Sequence, residues 1–173
     1  MFNEANNKLI ASVKGSSTNS PGFLAVWDVE KNGALSSNFT TIKAPAGGSL
    51  PAALRNIPGK NAVLATDAGA GIAMFDFSTV KGVKDKGNHT STKNNLMTVN
   101  GQKHTGWVSY SGKTRSFFLT DAGTSTVTEV TVDNNLKGKV VKVRSIGNIF
   151  VPGCGSSPVM SAIPSTRRHC YPG

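Results

Sequence analysis

Val63-Leu64-Ala65-Thr66-Asp67-Ala68-Gly69 and Phe117-Phe118-Leu119-Thr120-Asp121-Ala122-Gly123 end in the same tetrapeptide, Thr-Asp-Ala-Gly, 54 positions apart. A looser copy, Leu9-Ile10-Ala11-Ser12-Val13-Lys14-Gly15, precedes them by the same interval. Equal spacing with a verbatim tetrapeptide marks an internal repeat. Each copy leads, past a short turn, into a second β-patterned run: Phe23 to Val29, Ile72 to Phe77 and Val127 to Val132. The glycines fit a hairpin turn that needs positive φ, which glycine adopts without steric cost.

Weaker extended stretches flank the hairpins. Ala53 to Lys60 and Trp107 to Lys113 come before, and Asn38 to Lys43, Asn95 to Val99 and Lys139 to Arg144 come after. No segment carries the three-to-four residue apolar spacing of an amphipathic helix, and enrichment in Val, Thr, Gly and Asn favours strand and turn. The reading is all-β. A period of 54 residues carrying four antiparallel strands is that of a β-propeller blade. Three blades are expected, near residues 1–48, 49–102 and 103–147, the first beginning at its second strand. Closed propellers hold about four to eight blades, so the expectation is an incomplete propeller from a truncated sequence, with open blade edges that invite self-association.

The chain has 173 residues, 38% of them hydrophobic, enough for a core at this size. No run reaches the about 18 apolar residues of a spanning helix. The polar start, Met1-Phe2-Asn3-Glu4-Ala5-Asn6-Asn7-Lys8, is not read as a signal peptide. Residues 148–173 lose strand alternation and hold both cysteines; they read either as a disordered or extraneous end or as a loop closed by a Cys154–Cys170 disulfide. A net charge of +10 favours acidic surfaces or glycans as partners. Lys81, Lys84 and Lys86 sit in a turn-rich loop, and Lys137, Lys139, Lys142 and Arg144 lie along an outer strand. Without interleaved aromatic residues they do not make a specific nucleic-acid site.

His89, His104, His169, Cys154 and Cys170 lack metal-ligand spacing, so no metal is expected, and no phosphate-cradling loop points to a cofactor. Asp67 and Asp121, each before Ala-Gly, are read as turn-fixing carboxylates that accept backbone N–H groups. Trp27-Asp28, with Phe75-Asp76 behind it, offers a WD40-like interaction scaffold as an alternative, although the period exceeds that of WD40 repeats.

The run Lys8 to Gly15 with Gly22 to Val26, then Val63 to Gly69 and Phe118 to Gly123, resembles the fungal secreted proteins called 3-carboxymuconate cyclase-like. That group belongs to the lactonase-type seven-bladed propellers, with 6-phosphogluconolactonase and carboxymuconate cycloisomerase relatives. The resemblance covers about residues 8 to 147. It implies an extracellular or cell-surface location and a small carboxylate or lactone ligand. If secreted, Asn38 and Asn88 are glycosylation acceptors in Asn-Phe-Thr and Asn-His-Thr.

A lactone-forming or lactone-opening enzyme needs cations for its anionic substrate and a group to move a proton. His104, Lys103 and Arg55 are the candidates, with Arg115 and Glu129 behind them. The place of His104 in the preceding repeat is Leu50, which is not ionisable. The leading expectation is therefore a noncatalytic propeller module, with the lactonase or cycloisomerase as the alternative in a full-length form.

Overall fold

A computed structural model describes residues 1–16, 20–78 and 94–147. The chain there is all-β, in three antiparallel sheets. The first holds β1 (Lys8–Val13), β2 (Phe23–Asp28) and β3 (Thr40–Lys43), in that order. The second holds β4 (Pro51–Asn56), β5 (Ala62–Asp67), β6 (Gly71–Asp76) and β7 (Asn95–Thr98); the third holds β8 (Thr105–Ser111), β9 (Ser116–Asp121), β10 (Thr126–Val132) and β11 (Gly138–Ser145). Sequential strands are neighbours throughout, the meander of a propeller blade.

The repeat extends to single hydrogen bonds and further toward the N-terminus than the sequence suggests. Phe2 bridges Leu9 as Asn56 pairs with Val63. Asn3 N donates to Lys8 O at 3.0 Å, and Ile57 N to Ala62 O at 3.0 Å. Met1–Asn3 thus lies at the end of an inner-strand position through an isolated bridge, while the sheet itself has three strands and begins at the second strand of the repeat, as the sequence pattern indicates.

Side-chain alternation divides each blade into two faces. Val63, Ala65, Ala73, Phe75 and Phe77 pack with Ile10, Leu24, Val26 and Ile42 of the first sheet. Leu64, Ile72 and Met74 pack with Phe117, Leu119 and Val130 of the third. The middle sheet is covered on both faces, so every residue of β5 and β6 is buried. That is why these strands read as continuous apolar runs while β10 alternates. Burying a side chain the size of Phe75 or Leu64 contributes about 1.5–3 kcal/mol.

Hydroxyl groups tie one sheet to the next. Ser12 Oγ donates to Ala52 O at 2.6 Å, and its counterpart Thr66 donates from Oγ1 to Gly106 O at 3.0 Å while accepting Ala53 N at 2.9 Å. Both acceptors lie where the inner strand slips register, between Pro51 and Leu54 and between Thr105 and Trp107. The third member of the series, Thr120, has a buried hydroxyl with no partner among the described residues. An unsatisfied buried hydroxyl costs about 1–3 kcal/mol.

Candidate functional site

The best-defined polar constellation lies where each inner strand begins. Asp67 Oδ2 accepts the N–H groups of Ser49 at 2.8 Å and Leu50 at 3.0 Å, and Oδ1 accepts Gly69 N at 3.0 Å. Asp121 repeats this with Lys103 and His104 N–H, both at 2.8 Å, and Thr124 N at 2.9 Å. Each carboxylate therefore fastens its own hairpin turn to the segment that leads into its inner strand. Burial raises the Asp121 pKa, but the N–H donors from His104, Lys103 and Thr124 and the Thr124 side chain outweigh it and leave the pKa below its ordinary value. Gln102 joins the two blades: its carboxamide oxygen accepts Ala70 N at 3.2 Å and Gly71 N at 2.8 Å, and its nitrogen donates to the Thr105 hydroxyl.

None of the three repeated glycines has positive φ, and Gly15 and Gly123 serve close approach. Gly15, Gly69 and Gly123 are absent from the positive-φ residues, whereas Gly71 in the second turn and Ser125 in the third have φ of 139° and 51°. A Cβ on Gly123 would lie 2.7 Å from Lys103 Cβ, and one on Gly15 would lie 2.4 Å from Gly22 N. The sequence-based expectation of a left-handed turn glycine is thus corrected: the absence of a side chain lets two chain segments touch.

The structure brings Lys103 and His104 together on this feature, both exposed. Their main-chain N–H groups are held by Asp121, and His104 O accepts Ala122 N at 3.2 Å, as Leu50 O accepts Ala68 N at 3.2 Å. Arg55 does not join them. It is exposed near the far end of β4, paired with Leu64, whereas the counterpart of His104 precedes that strand. Arg115 has φ of 54° in the β8–β9 turn, and Glu129 is half-buried on β10 opposite Phe118 and Lys142. Asn38 is exposed, but Thr40 of its triplet is buried in β3, and Phe39 packs against Trp27 with ring centroids 5.1 Å apart. Asp28 pairs with Lys8 at 2.7 Å. Asn88, Cys154, Cys170, His89, His169 and the Lys81, Lys84 and Lys86 loop lie outside the described residues.

Sequence reading missed one feature. Beside the first sheet, along the β3–β4 connection, runs a groove of about 520 Å³, lined by Phe23, Thr41, Lys43, Pro45, Gly47 and Ser49. It forms because the β3–β4 connection bends at Gly47, which has φ of 87°. A mostly apolar wall with one cation suits a small organic anion. The Pro-Ala-Gly-Gly stretch after Lys43 is the signal that could have pointed to it. No group of three or more His, Cys, Asp or Glu side chains able to hold a metal occurs among the described residues, and none of their helices is long and apolar enough to cross a membrane.

No protein-family model matches the chain, and no curated protein does. Among solved structures it is similar to the periplasmic gluconolactonase PpgL of Pseudomonas aeruginosa, with a TM-score of 0.66 at 11% identity over 86% of this chain. The match spans 42% of that protein's length. At this identity the likeness is one of fold, and it agrees with the sheets described above: the chain is built of β-propeller blades.

Proposed function

We propose that this chain is a noncatalytic, secreted or cell-surface binding module built on lactonase-like propeller blades. The observation that carries this reading is the use of the two recurrent carboxylates: Asp67 and Asp121 are both committed to main-chain N–H groups. A general acid or base has to reach the proton it transfers. The ligand class is a small carboxylate or lactone at the Lys43 groove, or an acidic glycan drawn by the net charge of +10. The decisive assay is turnover of a gluconolactone and of a carboxymuconate by the purified protein. The expected result is hydrolysis and cyclisation at the buffer rate, with Lys43→Ala weakening carboxylate binding.

A second reading is a lactone-opening or lactone-forming enzyme, completed in a longer form, as in carboxymuconate cyclase-like proteins. The likeness to a gluconolactonase favours it. Turnover that falls in His104→Ala would establish it and remove the first reading.

A further inference from the structure

The first and second sheets differ at one cross-strand pair. Lys8 and Ala62 stand 54 residues apart at the same repeat position, and each lies directly opposite an aspartate: Lys8 across from Asp28, Ala62 across from Asp76. Directly opposed side chains leave the sheet on one face, with Cβ atoms about 5 Å apart. In the first sheet the pair is closed, with Lys8 Nζ 2.7 Å from Asp28 Oδ1. In the second sheet Ala62 ends in a methyl group and brings Asp76 no cation.

Asp76 is nevertheless buried, 5% exposed, whereas Asp28 is half-buried. Its Oδ1 accepts Ser78 N at 2.8 Å, and among the described residues the carboxylate takes no other donor. Asp67 and Asp121, the other buried carboxylates, each take three N–H groups. A carboxylate withdrawn from water with a single N–H donor lacks the partners that offset its desolvation.

Asp76 lines a cavity of about 340 Å³ at the seam between the second and third sheets, walled also by Lys60, Asn61, Ala62, Asn134 and Asn135. Two bonds hold this seam. Lys60 Nζ donates to Asn134 Oδ1 at 2.9 Å, and Asn95 Nδ2 donates to Asn135 O at 3.1 Å. The Lys60 ammonium is thus turned to Asn134, and makes no ion pair with Asp76.

We infer that this cavity binds a small organic ligand through a primary ammonium group, which sits beside Asp76 as Lys8 Nζ sits beside Asp28. A charge-assisted bond of this kind is among the stronger ones available to a carboxylate. Asn61 and Asn134 bring carboxamides to the wall, and these groups both donate to and accept from hydroxyls. The ligand class is therefore a hydroxylated primary amine, of which an amino sugar is the simplest probe. The site shares no residue with the Lys43 groove and does not depend on what that groove binds.

Titration of the full chain with glucosamine at about pH 6, where primary amines are charged, tests this directly. Calorimetry should give saturable binding with a Kd of about 1 mM, and amide resonances of Ala62, Asp76 and Asn134 should move. N-acetylglucosamine keeps the ring but replaces the ammonium with a neutral amide, and should bind roughly tenfold or more weakly. Asp76→Asn keeps an acceptor for Ser78 N, removes the charge and should weaken glucosamine binding to a similar degree. Ala62→Lys transplants the first-sheet ion pair and should abolish binding with β-sheet circular dichroism unchanged. Absence of saturable binding, equal affinity for the two sugars, or resonance shifts confined to other residues would each overturn the inference. So would undiminished binding by either variant in its folded form. Should both variants misfold, the comparison of the two sugars on the wild-type chain still decides.

Discussion

Asp67 and Asp121 stand 54 residues apart and make the same clamp, each with one carboxylate oxygen on two successive N–H groups 17 and 18 residues upstream and the other on its own turn. Val13 takes this place in the first repeat, and there the turn is tied instead to the next blade, Gly22 N donating to Ser49 O at 2.7 Å.

Replacing Asp67 with Asn turns an amide toward donors that need an acceptor. Unfolding in urea should show a loss of about 2–4 kcal/mol, and Asp121→Asn a loss of similar size. A change below about 0.5 kcal/mol in both would show that water serves these N–H groups equally well.

The lowered pKa of Asp121 sets a direction for acid stability. Above about pH 5 the carboxyl is ionised in folded and unfolded chains alike, and its full contribution is present. As pH falls through the ordinary carboxylate range the unfolded chain takes up the proton first, so stability declines until the folded group is protonated too. Thermal melts of the wild type and Asp121→Asn should therefore converge below pH 4. Curves that run parallel down to pH 2 would contradict the assignment.

Gly123 and Gly69 are equivalent in sequence but not in crowding. Gly123→Ala sets a methyl 2.7 Å from Lys103 Cβ and should cost about 1–3 kcal/mol. Gly69→Ala meets its nearest atom at 3.4 Å and should cost less than about 1 kcal/mol. Equal losses would return the explanation to backbone conformation.

Thr66→Val keeps shape and removes the hydroxyl between two sheets. It leaves Ala53 N and Gly106 O without that partner, and chemical denaturation should report about 1–3 kcal/mol. Phe75→Ala, in the apolar contact between the first two sheets, should cost about 3–5 kcal/mol.

The strand order was legible because a tetrapeptide and a spacing give the blade before any propensity is consulted. Met1–Asn3 was not legible, since three residues carry no period; their role shows only in the bridge between Phe2 and Leu9. The turn role of Asp67 and Asp121 could be read from Asp-Ala-Gly, but their second set of donors is 17 to 18 residues away and is fixed by tertiary register. The same applies to the glycines, whose neighbours come from other segments, and to Thr66, whose acceptor is on the next sheet. Among the candidate site residues, adjacency placed Lys103 with His104, while Arg55 was separated by its position along β4. The Lys43 groove depends on how the β3–β4 connection bends, which no local pattern states.

The double coverage of β5 and β6 has a consequence for cooperativity. In a linear array of repeats, stability is close to a sum of unit terms and nearest-neighbour couplings. Among the described residues the first and third sheets each enter one coupling, and the second enters both. Damage at an end should peel away one unit and leave a folded pair, whereas the same damage at Leu64 or Ala73 should uncouple all three at once. A single substitution in the second sheet therefore reaches two interfaces at once.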